Sequence, residues 1–582
     1  MVRLTAALFL PKPISPTTLE REPKSDTLRA AWRSMGSRIR DAAHTKMRPP
    51  GIIVRSVLAL SCLAMIGPAV RAQYSTSFQT NTISFGTTNW IANGTYVVGS
   101  NTVFDALIIQ NGGVLSNGTG YIGYESAATN NAAIVRNAGS AWSNRFDLYV
   151  GYKGAGNQLV ISNGGTVYNT NAIVGMFPSA SNNVALVSGA GSAWNMTGYL
   201  TVGSNAANNS LVITNGGQVV DAGADVGTDV GGGSNVRVLV TGTNSTWINN
   251  GNVLISVANA GNAITVANGA RFFSSALVQI GRSAGADGNV VMVSDPGTTW
   301  TNLTELQVGG FGPYSEFIVS NGATAYSGIS VIGGFNTSNA VVVTGPGSIW
   351  TVGGSITVSD SGLDNSLIVT NGGRVRAQDE FIANQAGSSG GLIVAGGTNE
   401  VFNSLELGQF GGTGTVSIAD GALFVTNATA TATAVVNSNC TLILGPGTFK
   451  ADNLVVTNGG AVQYNLAYQV DNGTVTVAGG SLQAGSNLVI AATANSTGTV
   501  LVVSGTLVAT NGVFGIGNNG TVTGGGGRGL LTISNGTLLA TTILLGNSTS
   551  NQSDLIIAAE EPSSRRDPRI VCSWTTAWGL NF

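Results

Sequence analysis

The sequence predicts an all-β solenoid, a single-stranded right-handed parallel β-helix, and three regularities carry that expectation. Trp90, Trp142, Trp194, Trp247, Trp300 and Trp350 recur at intervals of 52, 52, 53, 53 and 50 residues. Asn-Gly pairs starting at Asn111, Asn163, Asn215, Asn268, Asn321 and Asn371 keep the same intervals. Nine residues after each tryptophan a Gly or Ser closes a short apolar run. With the intervening runs included, these closing residues fall at 99, 123, 151, 175, 203, 227, 256, 281, 309, 333 and 359, so steps of about 24 and about 28 alternate. Such register is an internal repeat, and the half-repeat is its structural unit.

Each half-repeat holds two or three runs of four to six residues in which Val, Ile, Leu and Thr alternate with period two, as in Leu211-Val212-Ile213-Thr214. Asn-Gly, Gly-Gly and Gly-x-Gly separate the runs, which is a strand-and-turn signature. Three short strands in roughly 24 to 28 residues suit one coil of a β-helix, stacked on the next at the inter-strand distance of about 4.8 Å. From Gln73 to Ala559 about 18 to 20 coils are expected, a stack of roughly 90 Å. Gly and Asn mark the corners because they tolerate positive φ. A kelch-like propeller is the alternative, since a period near 50 with six tryptophans would suit six blades.

The tryptophans are expected on every second coil, about 9.6 Å apart, each packed against a smaller residue of the coil between. The functional alternative is an exposed aromatic ladder on which sugar rings stack.

Five segments follow from composition. Residues 1–46 read as a mis-assigned start or an extended signal region. Residues 47–72 read as a signal peptide, with Arg48 and Arg55 before the apolar run from Ser56 to Val70 and a small-residue site at Val70-Arg71-Ala72. Residues 73–415 are regular repeats and 416–559 degenerate ones. At 560–582 the composition shifts to a charged, proline-containing stretch that reads as a disordered or truncated tail. The net charge of −2 averages a basic piece up to Ala72, with 12 Lys or Arg against 4 Asp or Glu, and a remainder with 13 against 23.

Repeats such as Val240-Thr241-Gly242-Thr243-Asn244-Ser245-Thr246-Trp247 and Leu211-Val212-Ile213-Thr214-Asn215-Gly216-Gly217 resemble those of bacterial autotransporter passenger domains, well over 90–415 and loosely to 559. The resemblance implies a β-helix on the cell surface or released from it. Passengers of this architecture include adhesins, toxins and enzymes, so it names no activity. A translocator barrel, with its many strands of about 10 residues, is not expected in the residues after the repeats.

The chemistry available is narrow. The one histidine, His44, precedes the expected cleavage site, so triads, His bases and His-ligated zinc are not expected in the mature chain. Cys62, Cys440 and Cys572 are too scattered to suggest disulfides. Gly524-Gly525-Gly526-Gly527 lacks the Lys-Ser or Lys-Thr of a phosphate loop.

Carboxylates are the remaining catalytic candidates: Asp221, Asp225 and Asp229, then Asp360 with Asp364, and Asp379 with Glu380. A hydrolase would need two of them about 5 to 9.5 Å apart. In a strand Asp379 and Glu380 point to opposite faces, and Lys153 and Lys450 lie far in sequence from every cluster. Solvated turn residues are the expectation, with no catalytic, cofactor or metal site. A body of charge −10 without a basic stripe does not suit nucleic acid, and it has no apolar run of about 18 residues to span a membrane.

The expected function is therefore that of a non-enzymatic, secreted or surface-exposed β-helical protein of a diderm bacterium, exported through its signal peptide. It would act as an adhesin-like or structural passenger. Extracellular glycans or cell-surface components are its expected partners. The alternative is a carbohydrate-active enzyme, a polysaccharide lyase or hydrolase using carboxylates.

Overall fold

A computed structural model describes residue 74 and residues 76–557, apart from 86–87, 229–231, 458, 465–467, 471–472, 494, 518–526 and 546–553. The expected signal region, His44, Cys62, Cys572, Asp229, the 524–526 glycines and the 560–582 tail lie outside the described residues. Contacts divide the chain into residues 1–67 and 68–582, and every described residue belongs to the second unit.

The described residues are a right-handed parallel β-helix without a helical segment. Three strands per coil build three parallel ladders. The first face stacks strands such as Ala106–Gln110, Ala132–Arg136 and Gln158–Ser162. The second stacks Ala141–Asn144, Thr166–Asn169 and Ala193–Met196. The third stacks Leu148–Val150, Ala172–Val174 and Tyr199–Val202. Coils pair parallel throughout these ladders, which removes the propeller alternative, whose blades are antiparallel sheets.

Strand register explains the alternating 24 and 28 steps. They hold where the third face ends, but on the first face Ala106, Ala132, Gln158, Val184 and Ser210 are stacked partners, each 26 residues after the last. A tryptophan coil therefore has two extra residues between its first and third faces and two fewer in the next corner. The extra turn residue is visible in backbone angles. Plain coils turn on adjacent positive-φ residues, such as Asn163 and Gly164, whereas tryptophan coils use positive φ at Gly189 and Gly191 with Ala190 between.

The corner from third to first face is held by a buried asparagine ladder that the repeat pattern did not reveal. The backbone N–H of Asp105 donates to Asn131 Oδ1, that of Asn131 to Asn157, that of Asn157 to Asn183, and that of Asn183 to Asn209, all at 2.8–2.9 Å. These asparagines are fully buried. The residue before each one has positive φ: Asn130, Gly156, Asn182 and Asn208. The ladder resumes after Val236 and again after Ser315. It also explains the closing glycines at Gly99, Gly123, Gly151, Gly175, Gly309 and Gly333, each set against a ladder asparagine. At Gly151, φ +76°, an added Cβ would lie 2.1 Å from the Asn183 amide, so Gly meets a steric and a conformational demand together.

On the second face Trp142, Trp194, Trp247, Trp300 and Trp350 form the expected internal column and are at most 1% exposed. Leu115, Val167, Val219 and Ala325 fill alternate rungs. At Phe272 the filler is not small: its ring stacks on Trp300 at 3.9 Å and meets Trp247 edge-on at 5.1 Å. In the backbone register Asn89, not Trp90, pairs with Leu115.

Two residues before these tryptophans, Ser140, Ser192, Ser245, Thr298 and Ser348 are buried. Their hydroxyls accept the N–H of Gly112, Gly164, Gly216, Gly269 and Gly322, the second residue of the Asn-Gly turn one coil back. That bond locks the Trp and Asn-Gly series together. Beyond residue 441 the first-face steps become irregular, as Thr441, Ala461, Ser481, Thr506 and Thr537 show.

Two substitutions probe these ladders. Trp247→Ala is expected to cost about 3 to 5 kcal/mol, as large aromatic truncations in cores do, and to loosen adjoining coils without unfolding distant ones. Asn183→Ala strands the buried N–H of Asn157 and should cost about 1 to 3 kcal/mol. Thermal melting gives the magnitudes and hydrogen exchange by segment gives the range of the disturbance.

Candidate functional site

Strand alternation sends every second side chain inward, and this sorts the candidate carboxylates. Asp221 ends a second-face strand at an inward position and is fully buried. Its Oδ2 accepts the Trp247 indole N–H at 2.6 Å, and its Oδ1 accepts a hydrogen bond from the Asn249 amide. Asn117 and Asn169 do the same for Trp142 and Trp194 at 2.7 Å, and Ser327 for Trp350 at 3.1 Å. Asp221 is thus an indole acceptor in the core. Burial raises its pKa to about 7 against the lowering effect of those donors. Asp225 lies on the adjacent third-face strand, half-buried between stacked Thr201 and Leu254.

The other carboxylates also have local partners. Asp360 accepts from Asn384 at 2.8 Å, and Asp364, with φ +54°, accepts from Ser389 at 2.8 Å. Asp379 and Glu380 do face opposite ways: Asp379 is half-buried and takes Asn403 at 2.7 Å, whereas Glu380 is 0% exposed between Ile356 and Leu405. Asn399 donates to Glu380 Oε2 at 2.9 Å, leaving Glu380 Oε1 and Asn399 Oδ1 without partners. Desolvation pushes Glu380 up to about 8.

Two charged groupings escaped sequence reasoning because coil spacing, not local spacing, unites them. Lys153 pairs with Glu125 at 3.1 Å. Arg374 and Arg376 flank Glu400; burial opposes its ionisation, but the two guanidiniums hold its pKa below the ordinary value. Lys450 sits beside Phe424 on the next rung of the second face. Cys440 is buried, its thiol pushed up by desolvation and accepting the Gly414 N–H at 3.2 Å. No group of three or more His, Cys, Asp or Glu able to hold a metal occurs among the described residues, and no helix there is long and apolar enough to cross a membrane.

The prominent surface feature is aromatic, though not tryptophan. Tyr121 and Tyr149 point outward from stacked third-face strands, and their rings stack at 4.9 Å and 7°. Three residues on, past the closing glycine, Tyr124 and Tyr152 stack at 5.2 Å and 8°. The two pairs meet edge-on, Tyr121 to Tyr124 at 5.0 Å and Tyr149 to Tyr152 at 5.1 Å, and Phe177 extends the set from Tyr152 at 5.0 Å. Backbone bonds from Tyr124 to Gly99 and from Tyr152 to Gly123 carry the ladder around the corner and fix the rings.

All five rings are half-buried. Tyr149 donates its hydroxyl to Asp147 at 3.2 Å, and Lys153 lies 6.0 Å from the Tyr124 centroid. Desolvation, then neighbouring phenols and Asp147, raises Tyr121 to about 12 and raises Tyr149 as well, so both remain hydroxyl donors at neutral pH. The cluster is a rigid rim of ring edges and hydroxyls beside an ion pair. Its signal was present as Tyr121-Ile122-Gly123-Tyr124 and Tyr149-Val150-Gly151-Tyr152, but following tryptophan alone led inside the core. Further stacked pairs are exposed at Phe78 with Phe104 and at Phe311 with Phe335.

No family model matches the chain, and no curated protein matches it. Among solved structures, the crystal structure of a TibC-catalyzed hyper-glycosylated TibA55-350 fragment matches 73% of this chain and 100% of its own, at 13% identity and a TM-score of 0.19.

The buried acids predict a pH dependence. Where the folded pKa lies above the unfolded one, the native state keeps a proton that the unfolded chain has lost, so stability falls as pH rises between the two values. For Asp221 that window runs from 3.8 to about 7, and for Glu380 from 4.5 to about 8. Glu380→Gln should leave melting near pH 4 unchanged and stabilise the protein above pH 8, by about 3 to 5 kcal/mol at 1.36 kcal/mol per pKa unit. Asp221→Asn should remove the fall at lower pH. Melting curves from pH 4 to 9 check both.

Proposed function

We propose that this protein is a non-enzymatic, adhesin-like β-helical passenger, secreted or displayed on the outer surface of a diderm bacterium, which contacts extracellular glycans through its tyrosine cluster. The observation that carries this reading is the half-exposed, preformed set Tyr121, Tyr124, Tyr149, Tyr152 and Phe177 on consecutive rungs. Aromatic edges beside phenolic donors and a Lys-Glu pair offer apolar and hydrogen-bonding contact at once, which suits a polyhydroxyl ligand. Rings already fixed by stacking lose little freedom on binding.

The disposition of the acids supports a passive role. Asp221 and Glu380 are consumed in the core, and Asp360, Asp364 and Asp379 are tied to amides and hydroxyls.

Binding of the full chain to neutral and acidic polysaccharides should fall about tenfold or more in Tyr121→Ala/Tyr152→Ala, the loss expected when central aromatic anchors are truncated. Tyr152→Phe, which keeps the ring, should lose less. Unchanged binding in the double variant would remove the cluster from the reading. Release of new reducing ends or unsaturated products, abolished by a carboxylate substitution, would replace the adhesin with an enzyme.

A further inference from the structure

The outward side chains of the first face form an aliphatic stripe. Register places Ile108 beneath Ile134 and carries the same position through Val160, Leu186, Met292 and Ile318 to Ile393. Thr265 is its one polar rung, and Thr82 and Ser417 bound it at the two ends. Corresponding outward positions on the other faces are mixed, with Ser143, Tyr168 and Asn195 on the second and Thr201, Asp225 and Gln279 on the third. Alternation with a solvated face calls for polar residues here, whereas Val, Ile and Leu on both sides of a strand is the pattern of a sheet covered on both faces. The stripe residues are half-buried to exposed, Met292 at 36% and Ile393 at 40%.

We propose that a second copy of this chain covers the stripe, the two first faces packing sheet against sheet. Eleven steps of about 4.8 Å and a strand width of about 14 Å give roughly 700 Å² per partner, close to the ~800 Å² of a standard stable interface. The surface suits close approach. Its steps of 24 to 27 residues bring in no protruding loop, and its margins are short residues such as Ala106, Ser188, Ser210 and Thr214. Arg136, Arg237 and Glu316 are the charged residues along these strands. Two arginines against one glutamate give no attraction to the chain's own basic segment, which carries 12 Lys or Arg against 4 Asp or Glu before residue 73. A second stripe offers like apolar surface of equal length with little charge to desolvate.

The test is sedimentation of the full chain over a wide concentration range, beside Leu186→Glu/Ile318→Glu and the milder Leu186→Thr/Ile318→Thr, which copies native Thr265. Ser143→Glu/Asn195→Glu, on the second face, is the control. The wild type and control should dimerise, the threonine variant should dissociate at about tenfold higher concentration, and the glutamate variant should be monomeric with an unchanged β spectrum. A wild type that stays monomeric, whether the stripe is bare or covered by its own chain, overturns the proposal. So does a dimer that survives the threonine and glutamate changes.

Discussion

The amide ladder at the third corner is the constraint on which the remaining geometry depends. A backbone N–H turned into a corner has no strand partner, and a buried donor without an acceptor costs about 1 to 3 kcal/mol. Asn131, Asn157, Asn183 and Asn209 each supply that acceptor to the coil before. One asparagine must therefore arrive per coil at one fixed place, and from Ala106 to Ser210 the first face keeps steps of 26 residues. In that stretch a change of length elsewhere in a coil is restored before the next asparagine. The tryptophan coils do this, gaining two residues on one side of the corner and losing two on the other.

The tryptophan is accommodated by the same logic of coil-to-coil satisfaction. Burying an indole gains apolar contact but also buries an N–H, and that donor needs a partner. The preceding coil provides it at one position, as Asn117, Asn169, Asp221 or Ser327. Asp221 is the outlier, since a carboxylate there meets the geometric need while incurring desolvation. Trp300 lacks an acceptor for its N–H and has a stacked Phe272 instead. The same coil also returns a serine or threonine hydroxyl to the Asn-Gly turn behind it, so neither motif is independent of the other.

The architecture was legible because these demands recur at fixed intervals and leave periodic residues. Trp142 to Trp350, the Asn-Gly turns and the closing glycines could be read without coordinates, and so could the internal place of those tryptophans. The asparagine ladder was not read, although Asn131, Asn157, Asn183 and Asn209 stand 26 apart, because in a chain rich in asparagine a buried one and a turn one look alike. A recurrence interval does not report a bulge, and the backbone pairing that follows Trp90 shifts between Ile91 and Thr95, so that Asn89 pairs with Leu115. Glu380 was read as facing away from Asp379, but nothing in its neighbours told that its side was the core.

Surface features were the least legible, and the reason is physical. An inward residue must satisfy its coil neighbours and so repeats, whereas an outward one is free to vary and is informative where it does not. The tyrosine cluster occupies two consecutive rungs and then gives way to Ile173 and Thr201 at the same outward position. That local departure resembles a site. The aliphatic stripe repeats over the long run from Ile108 to Ile393 with no inward duty to explain it. Continuity of that kind fits an extended contact rather than a small ligand. The two features share no residue, so covering the stripe does not consume the tyrosine rings themselves.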